Sequence, residues 1–140
     1  MMFVTMFFAM LDPGTGEVAF CNAGHNPPYR LKGAELAPIE DAKGIILGVR
    51  PDAVHQAGRL TLSPGETIYL FTDGVPEAAN PAGELFSEAR LEAVLRRLNG
   101  AGSADIINTV AAEVRGFVGN AQPSDDITML ALRRLDGAQL

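Results

Sequence analysis

At 140 residues, nearly half of them apolar, the chain has the length and composition of one soluble domain with a core. Seventeen acidic residues against eleven basic give a net charge of −6, and with Lys and Arg scattered, no nucleic-acid footprint is present. The one cysteine, Cys21, excludes an internal disulfide, suits a reducing cytoplasm, and reads as a small buried residue at a strand end.

The opening stretch to Leu11 is apolar but too short to cross a bilayer, and it lacks the charged start and cleavage site of a secretory signal. No membrane contact is expected from it. Phe3, Thr5, Phe7, Ala9 and Leu11 alternate with Val4, Met6, Phe8 and Met10, so both faces are largely apolar, the pattern of a central strand covered on each side. A terminus in the middle of a core implies that sequence upstream is absent. An open strand edge there makes a homodimer one hypothesis.

Asp12-Pro13-Gly14-Thr15-Gly16 is a cluster of turn formers, and Glu17 to Cys21 reads as the returning strand of a hairpin. Asn22-Ala23-Gly24-His25-Asn26-Pro27-Pro28 then interrupts regular structure, the two prolines fixing an extended path that holds His25 on a stiff loop. His25 has two readings, a loop histidine bonded to backbone or a group beside a catalytic centre. His55 has no motif around it and reads as surface. Tyr29 to Lys32 is a short strand, with a turn at Gly33 leading to Glu35 through Pro38. Gly44 to Val49 is apolar between glycines, but no Gly-Lys-Ser/Thr follows, so it is not a phosphate-binding P-loop.

Val54 to Leu62 is expected to pair with Thr67 to Thr72 through the turn Ser63-Pro64-Gly65-Glu66. Thr67 to Thr72 is apolar, β-branched and aromatic, a buried strand that ends on Asp73-Gly74. That dipeptide reads either as a plain turn or as a carboxylate at the mouth of a sheet. Beyond it the period changes to near 3.6. Leu91, Val94, Leu95 and Leu98 form one face of a helix starting near Ser87. Asn99 to Gly102 ends it, Ser103 can cap the next, and Ile107, Val110, Ala111, Val114 and Val118 give the second helix its buried stripe. Glu77 and Glu84 are read as solvent-facing or loop-fixing acids.

Ser124-Asp125-Asp126-Ile127-Thr128 opens the last apolar run, Ile127 to Leu132. If this strand lies antiparallel to Thr67 to Thr72, Asp73 and Asp125 reach the same sheet edge. Two like charges about 4 Å apart repel by roughly 4 kcal/mol at an effective dielectric of 20, and a divalent cation removes that cost. Oxygen-only ligands favour magnesium or manganese over zinc.

LSPGETIYLFTDGVPEAANPAGELF, with NAGHNPP at 22 to 28, LGV at 47 to 49 and SDDIT at 124 to 128, resembles the SpoIIE/RsbU-like branch of the PPM (type 2C) serine/threonine protein phosphatases. The similarity runs from Phe3 to about Arg134. It implies an α+β fold of antiparallel sheets with helices packed outside, part of an α-β-β-α sandwich, with residues 1–140 as a single phosphatase domain lacking its N-terminal half. The family's Asp-rich first strand and its DVSGHG-like motif, whose Asp bridges two metals, have no counterpart here. Pro76 stands where a Thr is usual, and Ser87 where a Gly usually follows the Phe.

By motif, Asp73 and Asp125 match family metal ligands, with Asp126 a weaker candidate because related members carry Asn there. The resemblance implies hydrolysis of phosphoserine or phosphothreonine by water activated by two Mn²⁺ or Mg²⁺ ions, and His25 could contact phosphate or pass a proton to the leaving oxygen. The implied substrate is a phosphorylated anti-sigma-factor antagonist of bacterial stress or sporulation signalling, in the cytoplasm. Substrate-binding residues are not identified. The competing reading is a truncated or degenerate module that binds a signalling partner without turnover, and little activity is expected of the isolated chain.

Overall fold

The computed structural model describes residues 2–122 and 125–135. Met1 and Ser124, the latter part of the SDDIT motif, lie outside them. In chain order the elements are β1 (Met6–Leu11), β2 (Glu17–Ala23), β3 (Tyr29–Lys32), β4 (Glu35–Pro38), β5 (Lys43–Gly44), β6 (Gly58–Thr61), β7 (Thr67–Phe71), α1 (Ser87–Arg97), α2 (Ser103–Val118) and β8 (Met129–Arg133). Strands β1, β2, β5 and β6 make one sheet, and β4-β3-β7-β8 another, so the chain is α+β, as the resemblance implies.

Two apolar layers hold the stack together. Alternation along β7 sends Ile68 toward the first sheet, where it meets Val18, Phe20, Ile39 and Leu62, and sends Tyr69 and Phe71 toward Leu91, Leu95, Ile106 and Val110 of the helices. A strand buried on both faces has an apolar run rather than an in-out pattern. Each such fully buried side chain contributes about 1.5–3 kcal/mol. Tyr29 adds a polar tie, its hydroxyl donating to Glu92 Oε1 of α1 at 3.0 Å. Burial and this bond to a carboxylate push its pKa up.

Four sequence readings are corrected. First, β1 is not central: it is an edge strand paired only with β2 among the described residues, and Met6, Phe8 and Met10 are exposed on its outer face. The central place goes to β2, which binds β1 along one side and both β6 and β5 along the other.

Second, the segment before the 63–66 turn does not pair with β7. β6 pairs with β2, and the turn carries the chain from one sheet to the other, because Leu62 and Ile68 fill the same inter-sheet core from opposite walls. Arg134 secures this crossing, its Nη1 donating to the carbonyls of Leu62 at 2.6 Å and Thr15 at 2.9 Å. Arg30 supports it from β3, donating through Nε to buried Glu66 at 3.0 Å and through Nη2 to the Thr61 carbonyl at 2.6 Å.

Third, Ser103 does not cap α2. Gly102 occupies the N-cap, in extended conformation, and no side chain bonds the exposed amides. Fourth, Cys21 is half-buried and lies inside β2, not at its end. Cys21 faces Phe8 across the β1-β2 ladder, and His55 Nε2 bonds the Ile45 carbonyl at 2.8 Å.

The hairpin to Cys21, the strands from Tyr29 to Pro38 and both helices form where periodicity and turn residues place them.

Candidate functional site

Because β7 is pinned centrally by apolar side chains on both faces and β8 lies antiparallel beside it, with Phe71 opposite Met129, the end of one strand abuts the start of the other. The ladder extends one step into the loops. Thr72 N donates to the Thr128 carbonyl at 3.0 Å, Thr128 N donates to Thr72 Oγ1 at 3.0 Å, and that hydroxyl donates to the Asp126 carbonyl at 3.2 Å. The threonine before Asp73 thus sews the two acidic loops together, and Asp73 and Asp125 stand at one edge of the sheet.

Gly74 makes this closeness sterically feasible. A Cβ at that position would lie 2.4 Å from the Asp126 carbonyl oxygen and 3.0 Å from its carbon. The glycine reads in the sequence as a turn former; in the fold it is the point where two backbones meet without a side chain between them.

The NAGHNPP loop reaches the same edge. Asn26 Nδ2 donates to Asp73 Oδ1 at 2.5 Å. Asn22, which is buried, holds the loop closed: its Nδ2 donates to the His25 carbonyl at 2.9 Å and its Oδ1 accepts from His25 N at 2.8 Å. His25 Nδ1 lies 2.9 Å from the Asn26 carbonyl, an acceptor only, so Nδ1 carries a proton and neutral His25 has its free lone pair on Nε2. His25 is therefore bonded to backbone and also lines a recess of about 70 Å³ with Asn26, Thr72 and Asp73.

Asn22 and Asn26 are the site residues that sequence reasoning passed over. The available signal was the Asx pattern, since asparagines flanking Gly-His in a non-regular loop are placed to bond backbone and neighbouring loops.

Asp73 and Asp125 are exposed. Asp125 Oδ1 accepts from Asp126 N at 2.7 Å, and the Oδ2 of each aspartate takes no hydrogen bond from the described residues. Asp126 joins the site through its backbone, by the carbonyl that Thr72 bonds and the amide that Asp125 bonds. Glu84 is bonded within its own loop, accepting from Asn80 Nδ2 at 2.8 Å.

An oxygen-only pair with open lone pairs fits a hard divalent ion, which is commonly held by one or two carboxylates plus water and phosphate. Among the described residues no three His, Cys, Asp or Glu side chains gather where they could hold a metal ion.

The family profile of stage II sporulation protein E (SpoIIE) matches residues 1–135. Protein IcfG of Synechocystis is 32% identical over 133 residues, covering 95% of this chain and 21% of that protein. The phosphoserine phosphatase RsbU of Bacillus subtilis is 28% identical over 135 residues, covering 95% of this chain and 39% of that protein. The phosphatase domain of SpoIIE from Bacillus subtilis, in a manganese-presoaked structure, superposes with a TM-score of 0.71 at 16% identity, covering 95% of this chain and 57% of that one. The chain thus spans well under half the length of either relative, and a little over half of the solved domain.

Proposed function

The chain belongs to the SpoIIE family, and from that premise we propose that it supplies the C-terminal part of a metal-dependent protein serine/threonine phosphatase domain. The observation that carries the proposal is the β7-β8 pairing, which brings Asp73 and Asp125 to one sheet edge beside His25 and Asn26.

In this reading Asp73 and Asp125 hold Mn²⁺ or Mg²⁺ through the oxygens left open. Asp126 lends its backbone to the edge, and its carboxylate is the weaker candidate ligand. When bound, the ions neutralise the phosphoryl oxygens and lower the pKa of water. Asn26 fixes the rotamer of Asp73 by its bond to Oδ1. Asn22 fixes the position of His25, whose Nε2 can hold a proton for the departing serine or threonine oxygen. The substrate is a phosphorylated regulatory protein of the anti-sigma-factor antagonist type, met in the cytoplasm. Among the described residues no helix is long and apolar enough to cross a membrane.

Phosphate release from a phosphoserine protein with manganese tests the reading in the full-length protein. Asp73→Asn and Asp125→Asn are expected to abolish turnover and to weaken Mn²⁺ binding at least tenfold, measured by the electron paramagnetic resonance of free Mn²⁺. Turnover indifferent to both substitutions would remove the basis of the assignment. That no three potential metal-holding side chains gather among the described residues favours a second reading, a module that binds its partner without catalysis. Partner binding by a protein with no manganese-dependent turnover would select it.

A further inference from the structure

Beside the carboxylate edge lies a cavity of about 270 Å³. The last turns of α2 supply Val114 and Val118, the turn after Asp73 supplies Ala78, and Ile127 and Asp125 close the wall nearest the edge, with Arg115 among the lining residues. Its walls are otherwise apolar, and Asp125 belongs both to the cavity and to the carboxylate edge.

Arg115 is one of two cations whose side chains have no partner among the described residues. Every other Lys or Arg except Arg59 has a carboxylate, carbonyl or aromatic partner, whereas Arg115 is exposed and its guanidinium has none among the described residues. Arg59 lies on β6, in the other sheet. On a chain of net charge −6, an uncommitted cation at an apolar cavity is a local exception.

We infer that this cavity is a specificity subsite taking an apolar side chain of the phosphoprotein substrate, with Arg115 pairing an acidic residue next to that side chain. The inference rests on the phosphatase reading, which places the phosphoseryl group at Asp73 and Asp125. An extended peptide advances about 3.3 Å per residue, so a side chain entering a cavity that shares Asp125 lies within about three residues of the phosphoserine. Apolar walls select by size and burial, and a single guanidinium at the rim selects the sign of the flanking charge.

The test uses fluorescein-labelled nonapeptides with a central phosphoserine in a Gly/Ser background. Leucine or alanine is placed in turn at each of the three positions on either side, with aspartate or lysine as its neighbour. Binding to the full-length protein with Mn²⁺ is read by fluorescence anisotropy, and hydrolysis of p-nitrophenyl phosphate by the wild type is measured separately.

At one register, leucine is expected to bind roughly tenfold more tightly than alanine, and aspartate more tightly than lysine. Val118→Trp, which fills the cavity, removes the leucine advantage. Arg115→Glu inverts the aspartate-lysine preference, a swap that misfolding cannot imitate. Equal binding of leucine and alanine at every register, or a charge preference untouched by Arg115→Glu, overturns the subsite. Hydrolysis of p-nitrophenyl phosphate without any leucine preference overturns the subsite alone. A leucine preference without hydrolysis keeps the subsite as a peptide-recognition feature and overturns the phosphatase reading.

Discussion

Gly74→Ala is the sharpest test of how the two acidic loops are held together. The added methyl carbon would begin 2.4 Å from the Asp126 carbonyl oxygen and 3.0 Å from its carbon, and 3.4 Å from Ile127 Cγ1. The obstructing atoms are backbone, so no rotamer change relieves the clash, and the loop leading into β8 must move outward. Overpacking of this kind costs about 1–3 kcal/mol.

The displaced atom is the carbonyl that Thr72 Oγ1 bonds at 3.2 Å, so the hydroxyl link between the loops is stretched as well. Gly116→Ala is the matched control, since nothing lies within 4 Å of a Cβ there and the site is inside α2. Alanine is favoured over glycine in a helix by about 1 kcal/mol. Urea unfolding should therefore show Gly74→Ala less stable and Gly116→Ala more stable than the parent, with Mn²⁺ affinity reduced only in the first. If Gly74→Ala matched the parent in unfolding midpoint and in Mn²⁺ affinity, the loop contact would not be what positions Asp125 beside Asp73.

Two further outcomes follow from single residues. Ser87 has φ of +70°, a left-handed conformation costly for a side chain, so Ser87→Gly is expected to raise stability by roughly 1 kcal/mol in urea unfolding; a loss of stability would contradict this. Asp12 accepts hydrogen bonds from the amides of Thr15 and Gly14, which lower its pKa below the ordinary 3.8. With the folded value depressed, its contribution to the β1-β2 turn is complete above the unfolded pKa and is lost as pH falls through the folded one. A carboxyl NMR titration of Asp12 with its midpoint at or above 3.8 would show that these amides do not favour the charged form.

Much of the molecule was legible before folding because its signals are local. The Pro-Gly-rich turn at 12–16, the apolar run Thr67 to Phe71, the 3.6-residue stripe of Leu91, Val94 and Leu95, and the strand opened by Asp125 and Asp126 each act within a few residues. Asp73 and Asp125 could be read as one edge only on the condition that their strands pair antiparallel, and the structure supplies that pairing. Ser87 in place of the usual glycine was visible as a departure, and its positive φ explains why glycine suits the position.

What only the tertiary structure decided depends on which surfaces meet. A period of two says that a strand has two faces but not which sheet covers them, so it could not show β6 joining β2 while β7 joins β3, nor β1 lying at an edge. The bonds of Asn26 to Asp73 and of Thr72 to Asp126, and the near contact at Gly74, join residues remote in sequence and leave no periodic trace. The amino-acid order thus determined the strands, the helices and the acids at their ends. Packing, which chooses among many compatible pairings by filling the volume around Leu62 and Ile68, decided what those acids touch.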